Sequence, residues 1–199
     1  ECLLKVCICG IINANLQGGI DMNKKQINPF EYAPQIMDKM THGGILVTTK
    51  VGDKVNPMTI GWGTIGVDWS KPVFQTYIRE VRHTKGMMDE ALEFTVNIPM
   101  EKNDKVKEAL AFCGTKSGRD FDKVKECGLT VVESDTISVP ALKEFPLTLE
   151  CKVIYKVRQD GREIPQDVME RFYPEWEQHP EDLNTVYYGL ITAAYIIEE

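Results

Sequence analysis

Short runs of β-branched and aromatic residues, separated by turn-forming residues, constrain this chain more than any other feature. Residues 45–49 form such a run, and the turn residues 51–54 separate it from a second extended run at 55–62. Branched side chains favour strands, and Gly or Asp between two such runs is typical of a hairpin. Further strands are predicted at 72–78, 94–98, 149–157 and 186–197. Many short strands predict a mainly β protein with a few α-helices, closed or nearly closed into a barrel that leaves few exposed edges.

Helical spacing of apolar residues interrupts this pattern in a few places. We predict helices at 84–91 and 105–112, the second with Asp104 as its N-cap, and a short helical piece ending near Gly128. Pro57 is expected on an edge strand or at a bulge, because proline has no N–H for a β-ladder. Residues 159–184, rich in Pro, Glu and aromatic residues, are interpreted as a long insertion.

Charge and missing motifs exclude several classes of function. The net charge is −7 at pH 7, whereas binding to a nucleic-acid backbone needs a cationic surface. No apolar run reaches the length of a membrane-spanning helix. A dinucleotide-binding glycine motif, a P-loop and a Gly-x-Ser-x-Gly elbow are absent, and His42, His83 and His179 lack metal-ligand spacing. We therefore predict no nucleic-acid partner, no membrane association and no metal site.

The chain length and its first residues suggest one functional domain. A chain of 199 residues is long enough for one sizeable core. Residues 1–21 differ from the rest in composition and contain Cys2, Cys7 and Cys9. We predict that 1–21 is an N-terminal appendage and that 22–199 is the functional domain. The six cysteines show no repeated CxxC pair, which favours reduced thiols and a cytoplasmic location.

One cluster, residues 56–97, combines features that suit a flat, phosphate-bearing ligand. Glycines 61, 63 and 66 allow a close approach to the backbone, and Arg82 and Thr84 stand at a predicted helix start, where a phosphate is favoured. Each feature also has an ordinary structural explanation. Trp62 and Trp69 are more often core or interface residues, and Arg79 or Arg82 is more often a solvated surface residue or a salt-bridge partner of Glu80.

The same cluster carries a resemblance to a known family. The matching pieces are 56–64 (NPMTIGWGT), Lys71-Pro72, Arg79, 82–84 (RHT), 94–97 (FTVN), 112–120 with 122–123, and 146–151 (PLTLEC). In this order they resemble the flavin reductase-like family, specifically its flavoredoxin-type branch. The resemblance implies an FMN-binding split β-barrel and a homodimer with FMN near the subunit interface.

The resemblance also implies where the cofactor lies. The segment 56–64 would line the isoalloxazine ring and the ribityl chain. The phosphate would be held by Arg79, Arg82, His83 and Thr84, with Thr84 foremost, and the 113–120 loop would close over the flavin. Cys113 is either a thiol that exchanges electrons with the ring or a buried inert residue. The cofactor-binding residues implied in this way are Asn56, Met58, Thr59, Ile60, Gly61, Trp62, Gly63, Thr64, Arg79, Arg82, His83, Thr84, Asn97, Cys113, Lys116 and Ser117.

Three functions remain open on this basis. The first is an NAD(P)H-dependent flavin reductase-like oxidoreductase, in which FMN takes up electrons and no side chain acts as nucleophile. The second is a flavoredoxin-type electron carrier reduced by a partner protein, and the third is a flavin- or haem-binding storage or sensor protein. Relatives in this branch often carry a His where this chain has Asn184. This departure puts proton delivery in doubt.

Overall fold

Ten strands and five α-helices make up residues 22–198, the part of the chain that the computed structural model describes. The appendage predicted at 1–21, with its three cysteines, lies outside these residues. The strands are β1 (Lys24–Gln26), β2 (Ile45–Val51), β3 (Lys54–Ile60), β4 (Gly63–Asp68), β5 (Lys71–Arg79), β6 (Glu93–Ile98), β7 (Val131–Val132), β8 (Ala141–Leu142), β9 (Leu147–Arg158) and β10 (Asn184–Ile197). The helices are α1 (Ala33–Thr41), α2 (His83–Ala91), α3 (Asp104–Thr115), α4 (Lys123–Glu126) and α5 (Gln166–Phe172), with 3₁₀ turns at Gly161–Glu163 and Pro180–Asp182.

The main sheet curls because its two end strands are neighbours in sequence. Its strand order is β3-β2-β6-β9-β10-β5-β4, all antiparallel, and β1 adds to β10. Only Gly61 and Trp62 separate the end of β3 from the start of β4. Three peptide units span at most about 11 Å, so the first and last strands of the path must meet. The sheet is therefore bent into a barrel, and the predicted mainly β class is confirmed.

The β2–β3 hairpin forms as its pattern predicts. The two strands pair from Ile45↔Ile60 to Val51↔Lys54, and Gly52 in the turn has φ +55°. Pro57 lies opposite Thr48 on β3, which is an end strand of the sheet path. Its missing N–H therefore breaks no second ladder, and the prediction of an edge position is confirmed.

Two apolar clusters hold the barrel and its helices together. The first fills the barrel with buried residues from the sheet, among them Phe74, Phe94 and Tyr187, and α1 adds Ile36 and Met40. The second packs α3 and the segment after it onto the sheet; its buried members are Leu46, Val106, Ala109, Cys113, Leu129, Leu142 and Phe145. This second cluster holds α3 against β2, to which Leu46 belongs.

Two elements differ from the sequence predictions in ways that have clear physical causes. The helix α1 was not predicted, because its apolar residues Ile36 and Met40 make a single short stripe among polar neighbours. The strand β4 was also missed, since Gly63 and Gly66 weaken its β-propensity. It is nevertheless a strand because β5 pairs with all six of its residues.

Three local predictions are corrected by the structure. The N-cap of α3 is Asn103 rather than Asp104, since the Asn103 side chain accepts a hydrogen bond from the Val106 amide. The helix also continues through Thr115, into residues predicted as a loop. The strand β9 alternates less than expected: residues 147–151 are all buried, because both faces of its first half are covered.

Within residues 22–198, no helix is long and apolar enough to span a bilayer.

The predicted insertion has its own small core. Met169, Tyr173 and Leu183 are buried together, with Trp176 packed against them. A Cβ on Gly161 would lie 2.7 Å from the Trp176 ring, so glycine permits this contact. The insertion is joined to the barrel where the Glu80 amide donates to the Leu183 carbonyl, 3.1 Å away. It therefore packs beside the end of β5.

The bulge at Gly189 gives a direct test of barrel packing. The β9–β10 register shifts between Tyr188 and Gly189, and a Cβ on Gly189 would lie 2.4 Å from the Phe94 ring. Phe94 is fully buried. We expect Gly189→Ala to lower the free energy of unfolding by about 1 to 3 kcal/mol, the usual cost of overpacking, as measured by urea denaturation.

Gly66→Ala is the matched control, because a Cβ on Gly66 meets nothing within 4 Å. It should leave the urea midpoint unchanged or raise it slightly. Equal losses for both variants would contradict the packing role assigned to Gly189.

Candidate functional site

A cleft lies where the start of α2 and the end of α3 meet beside β3. Its volume is about 210 Å³. Half of the predicted cofactor residues line it, namely Met58, Arg79, Arg82, His83, Thr84, Cys113, Lys116 and Ser117. The other lining residues are not among the predicted cofactor-binding residues: Val81, Thr115, Gly118, Arg119 and Lys123. Of these, Thr115, Gly118 and Arg119 lie in the 113–120 loop that the resemblance places over the flavin. We call this site the cationic cleft.

The charge of the cleft is one-sided. Five cationic side chains line it, and none of its lining residues is Asp or Glu. This excess stands out in a chain whose net charge is −7. Concentrated positive charge in a recess raises the local concentration of anions, and Arg and Lys form charge-assisted hydrogen bonds with phosphate or carboxylate oxygens. The cleft therefore has the electrostatics of an anion site.

The start of α2 adds to this field. Arg82 is the N-cap, with extended backbone (φ −71°, ψ 138°) and no side-chain cap hydrogen bond. The first amides of a helix lack carbonyl partners within the helix, so its N-terminus favours an anion. Thr84 in the first turn is buried, and its Oγ1 accepts a hydrogen bond from Asn56 Nδ2 at 2.9 Å. Its hydroxyl proton is thus left to donate to another group.

Two buried polar atoms beside the cleft have no partner within the described chain. They are Asn56 Oδ1 and His83 Nε2. Buried polar atoms are nearly always hydrogen-bonded, so an orphaned pair points to a missing ligand or water. Gly118 closes tightly over both residues: a Cβ there would lie 2.0 Å from Asn56 Oδ1 and 3.1 Å from His83 Cδ2. Only glycine allows the loop to approach this closely.

His83 is held in its neutral form. Burial lowers its pKa first, and the positive charges of Lys54, Arg119 and Lys123 lower it further, while Asp120 opposes them. A neutral imidazole carries one N–H donor and one acceptor nitrogen. His83 can therefore donate a hydrogen bond to an anion in the cleft, and a bound anion would offset the positive charges around it.

Lys123 forms the floor of the cleft. It is 4% exposed, and its Nζ donates to the carbonyls of Pro57 and Cys113, each at 3.0 Å. Burial is the main cause that lowers its pKa. These two bonds tie β3 to the end of α3. Lys123 follows Asp122, whose side chain caps α4. Because α4 has only four residues, the sequence shows no apolar periodicity from which the burial of Lys123 could be predicted.

Cys113 is buried beneath the cleft. It is 1% exposed, and burial raises the pKa of its thiol to about 12, with a further contribution from the neighbouring Cys127. Lys123 opposes this shift. Since the thiolate is the reactive form, the structure favours the inert alternative for Cys113 over an electron-exchanging thiol.

The arginines of the cleft are oriented by backbone carbonyls. Arg82 Nη1 donates to the Gly114 carbonyl at 3.4 Å, which turns it across the cleft. Arg79 Nη2 donates to the Phe172 carbonyl at 3.3 Å, and its guanidinium lies 5.4 Å from the Tyr173 ring centre. Neither arginine forms the alternative ion pair with Glu80, because Glu80 pairs with Lys85 at 3.3 Å.

Asn97 lies apart from the cleft and has a structural role. It is fully buried, and its Oδ1 accepts hydrogen bonds from the hydroxyls of Thr48 (2.9 Å) and Thr95 (3.0 Å). Its Nδ2 donates to Thr148 Oγ1 at 3.4 Å. The amide therefore joins β2, β6 and β9, and the structure does not support the cofactor contact that we predicted for this residue.

The remaining residues of the predicted ring-binding segment mostly serve the barrel. Thr59 Oγ1 donates to the Leu110 carbonyl at 2.7 Å and so holds α3, while Ile60 is a core residue. A Cβ on Gly63 would lie 2.9 Å from the Gln75 carbonyl and 3.1 Å from Met40 Sδ, so this glycine permits packing of α1. Thr64 Oγ1 lies 2.9 Å from Gln75 Oε1.

Gly61 and Trp62 form the link between the two end strands. Trp62 is 43% exposed, and its ring packs edge-on against Phe172 with centroids 5.4 Å apart. Trp69, 64% exposed at a hairpin tip, is likewise not a core residue. Trp62 therefore faces the insertion at the end of the segment 56–64, beside the cleft rather than within it.

Sequence comparison identifies relatives of the chain. Residues 37–198 match the model of the flavin reductase like domain. An uncharacterized protein of Archaeoglobus fulgidus is 30% identical over 137 residues, which cover 68% of this chain and 71% of that protein.

Solved structures share the fold. Flavoredoxin from Methanosarcina acetivorans superimposes with a TM-score of 0.58 at 26% identity, over 78% of this chain and 69% of that chain. The FMN-binding domain of a flavin reductases-like enzyme from Shewanella baltica gives a TM-score of 0.59 at 16% identity, over 89% of this chain and 79% of that chain. The split β-barrel predicted from the resemblance is confirmed.

The neutral state of His83 can be measured. In the free protein we expect its imidazole to titrate with a pKa below the ordinary value of about 6.5, because burial and three cations disfavour the protonated form. Inorganic phosphate in the cleft should raise that pKa, since the anion accepts the Nε2 hydrogen and stabilises the positive charge. Proton NMR of the ring hydrogens follows both values, and His83→Gln assigns the signal.

Chloride at the same ionic strength is the control, and it should shift the titration far less than phosphate does. An imidazole that titrates identically in both salts would argue against an anion site at the start of α2.

Proposed function

Since the chain belongs to the flavin reductase like domain family, we propose that it binds FMN non-covalently and transfers electrons through it. One observation carries the assignment of the cofactor. The cationic cleft combines the free N-terminus of α2 with orphaned buried atoms of Asn56 and His83, as a ligand with a phosphate and neighbouring hydroxyls requires. The FMN-binding domain from Shewanella baltica has the same fold, which supports this assignment.

The size of the cleft limits which part of FMN it holds. Sites for whole small molecules have volumes of about 300 to 1,000 Å³, and the cleft has about 210 Å³. We assign the phosphate and the adjoining ribityl carbons to the cleft. We assign the ring to the exposed side of the segment 56–64, which begins at Asn56 beside the cleft and ends at Thr64, two residues after Trp62.

Seven residues in or beside the cleft have a proposed part in binding. Arg82, Lys116 and Arg119 supply charge-assisted hydrogen bonds to the phosphate, and the Thr84 hydroxyl and His83 Nε2 add neutral donors. Asn56 Oδ1, an acceptor only, suits a ribityl hydroxyl rather than the phosphate. Lys123 keeps the floor rigid through its two carbonyl contacts. Bound FMN supplies the redox chemistry, and the protein orients it.

The phosphate assignment is tested by comparing FMN with riboflavin, which lacks the phosphate. Arg82→Ala should raise the Kd for FMN about tenfold or more, because one charge-assisted hydrogen bond contributes about 1.5 to 3 kcal/mol. Riboflavin binding should be unchanged. Quenching of flavin fluorescence on binding gives both constants.

Arg162→Ala is the matched control, since Arg162 is 80% exposed and pairs with Asp160 away from the cleft. It should bind both flavins as the unchanged protein does. Equal weakening of FMN and riboflavin by Arg82→Ala would remove the phosphate from the cleft, even if the protein still binds flavin.

For the source of electrons, we propose an NAD(P)H-dependent reductase as the first candidate. The second candidate is an electron carrier reduced by a partner protein. The 26% identity to the flavoredoxin of Methanosarcina acetivorans supports this candidate. Anaerobic mixing of the FMN-loaded protein with NADH, and separately with NADPH, distinguishes the two. Prompt loss of the flavin absorption band is expected for the reductase. No bleaching with either nucleotide, together with full bleaching by dithionite, would select the carrier.

A further inference from the structure

A second pocket, distinct from the cationic cleft, lies between the barrel and the insertion. Its volume is about 350 Å³, within the range of small-molecule sites. The barrel contributes Trp62 and Tyr77, and the insertion contributes Ile164, Val168, Phe172 and Tyr173. We call it the aromatic pocket.

The walls of the aromatic pocket are held in place from behind. Ile164, Val168 and Phe172 follow one another at four-residue intervals, so the face of α5 and the turn before it line the pocket. Met169 and Leu183 pack with Tyr173 in the core of the insertion. The pocket is therefore a preformed recess with a supported wall rather than a gap in a loop.

Hydrogen bonds fix the polar edge of the same pocket. Asn184 is buried, and its Nδ2 donates to the Tyr173 hydroxyl at 2.6 Å and to Gln159 Oε1 at 3.0 Å. Gln159 also lines the pocket. Gln159 and Tyr173 therefore keep a set orientation, and their polar groups give the pocket one edge that can hydrogen-bond to a ligand.

The chemistry of the lining selects the ligand. No Asp, Glu, Lys or Arg lines the pocket. The neighbouring cation, Arg79, is held by the Phe172 carbonyl and by the ring of Tyr173. The rings of Trp62 and Phe172 meet at 89°, which places one flat face and one edge at a corner of the recess. Flat aromatic groups pack well against such walls, while a charged ligand would lose its hydration without gaining a partner.

We propose that the aromatic pocket binds a planar, uncharged aromatic molecule. The aromatic pocket is separated from the cationic cleft by Arg79, which lines the cleft and contacts both Phe172 and Tyr173. Binding depends only on the pocket, so it goes beyond the proposed flavin function and can be tested with or without FMN.

The test uses 2-naphthol as the probe, measured by isothermal titration of the full chain. Decahydro-2-naphthol is the matched control ligand, because it has the same carbon skeleton without flat rings. 2-Naphthoate adds a negative charge to the same rings. We expect 2-naphthol to bind at least about tenfold more tightly than either control ligand.

Three variants locate the binding. Val168→Trp fills the pocket and should weaken 2-naphthol at least about tenfold, whereas Asp167→Trp adds the same side chain on the exposed side of α5 and should leave the Kd within about twofold. Phe172→Leu removes one ring without blocking the space and should weaken the probe about threefold to tenfold. Thermal midpoints show whether each variant is folded.

Three outcomes in the absence of FMN would overturn the proposal. They are no binding of 2-naphthol to the unchanged chain, equal affinity for 2-naphthol and its saturated control, and an unchanged Kd in both Val168→Trp and Phe172→Leu with the proteins folded. Loss of probe binding when FMN saturates the protein would also overturn it, because the pocket would then be the seat of the flavin ring. FMN binding in the same variants is recorded separately, so a failure of this inference and a failure of the flavin assignment are distinguishable.

Discussion

The two-residue link between β3 and β4 is the constraint on which the rest of the molecule depends. Because Gly61 and Trp62 join the first and last strands of the sheet path, the sheet has to close on itself. Closure carries the segment 56–64 past the end of β5, where α2 begins. It also turns Trp62 outward toward the insertion. The positions of both candidate sites therefore depend on this two-residue link between the end strands.

The cationic cleft is an unbalanced charge cluster that the fold maintains through backbone contacts. Arg82 and Lys123 are held by carbonyl groups rather than by carboxylates, so their orientation does not neutralise their charge. Nearby cations disfavour one another, and together with burial, which is the larger cause, they lower the pKa of His83. This arrangement costs stability in the free protein, and an anion that binds the folded state alone recovers it. Such a cost is what distinguishes a binding site from a surface salt-bridge network, in which charges of opposite sign are already paired.

The sequence predicted elements with regular patterns and failed where tertiary contacts decide. The β2–β3 hairpin and helix α2 followed from branched runs, turn residues and helical spacing. Strand β4 was missed, because its two glycines hide a strand that exists only through pairing with β5. For the cleft, the family motif found Arg82 and Thr84 but also included Asn97, whose amide is used inside the sheet. The role of Lys123 was not predicted, and Gly118 was expected only as part of the closing loop, because both roles depend on distances to Pro57 and Asn56 that arise only on folding.

Asn184 shows how one substitution at a family position can change the role of a neighbourhood. The resemblance implies a His here in many relatives, and an imidazole titrates near neutral pH whereas an amide does not. In this chain the Asn184 amide is buried at the start of β10 and joins Tyr173 to Gln159. Both partners line the aromatic pocket, so the residue contributes order to that pocket rather than a proton. Because an amide does not titrate near neutral pH, Asn184 cannot supply the proton that a His at this position could deliver.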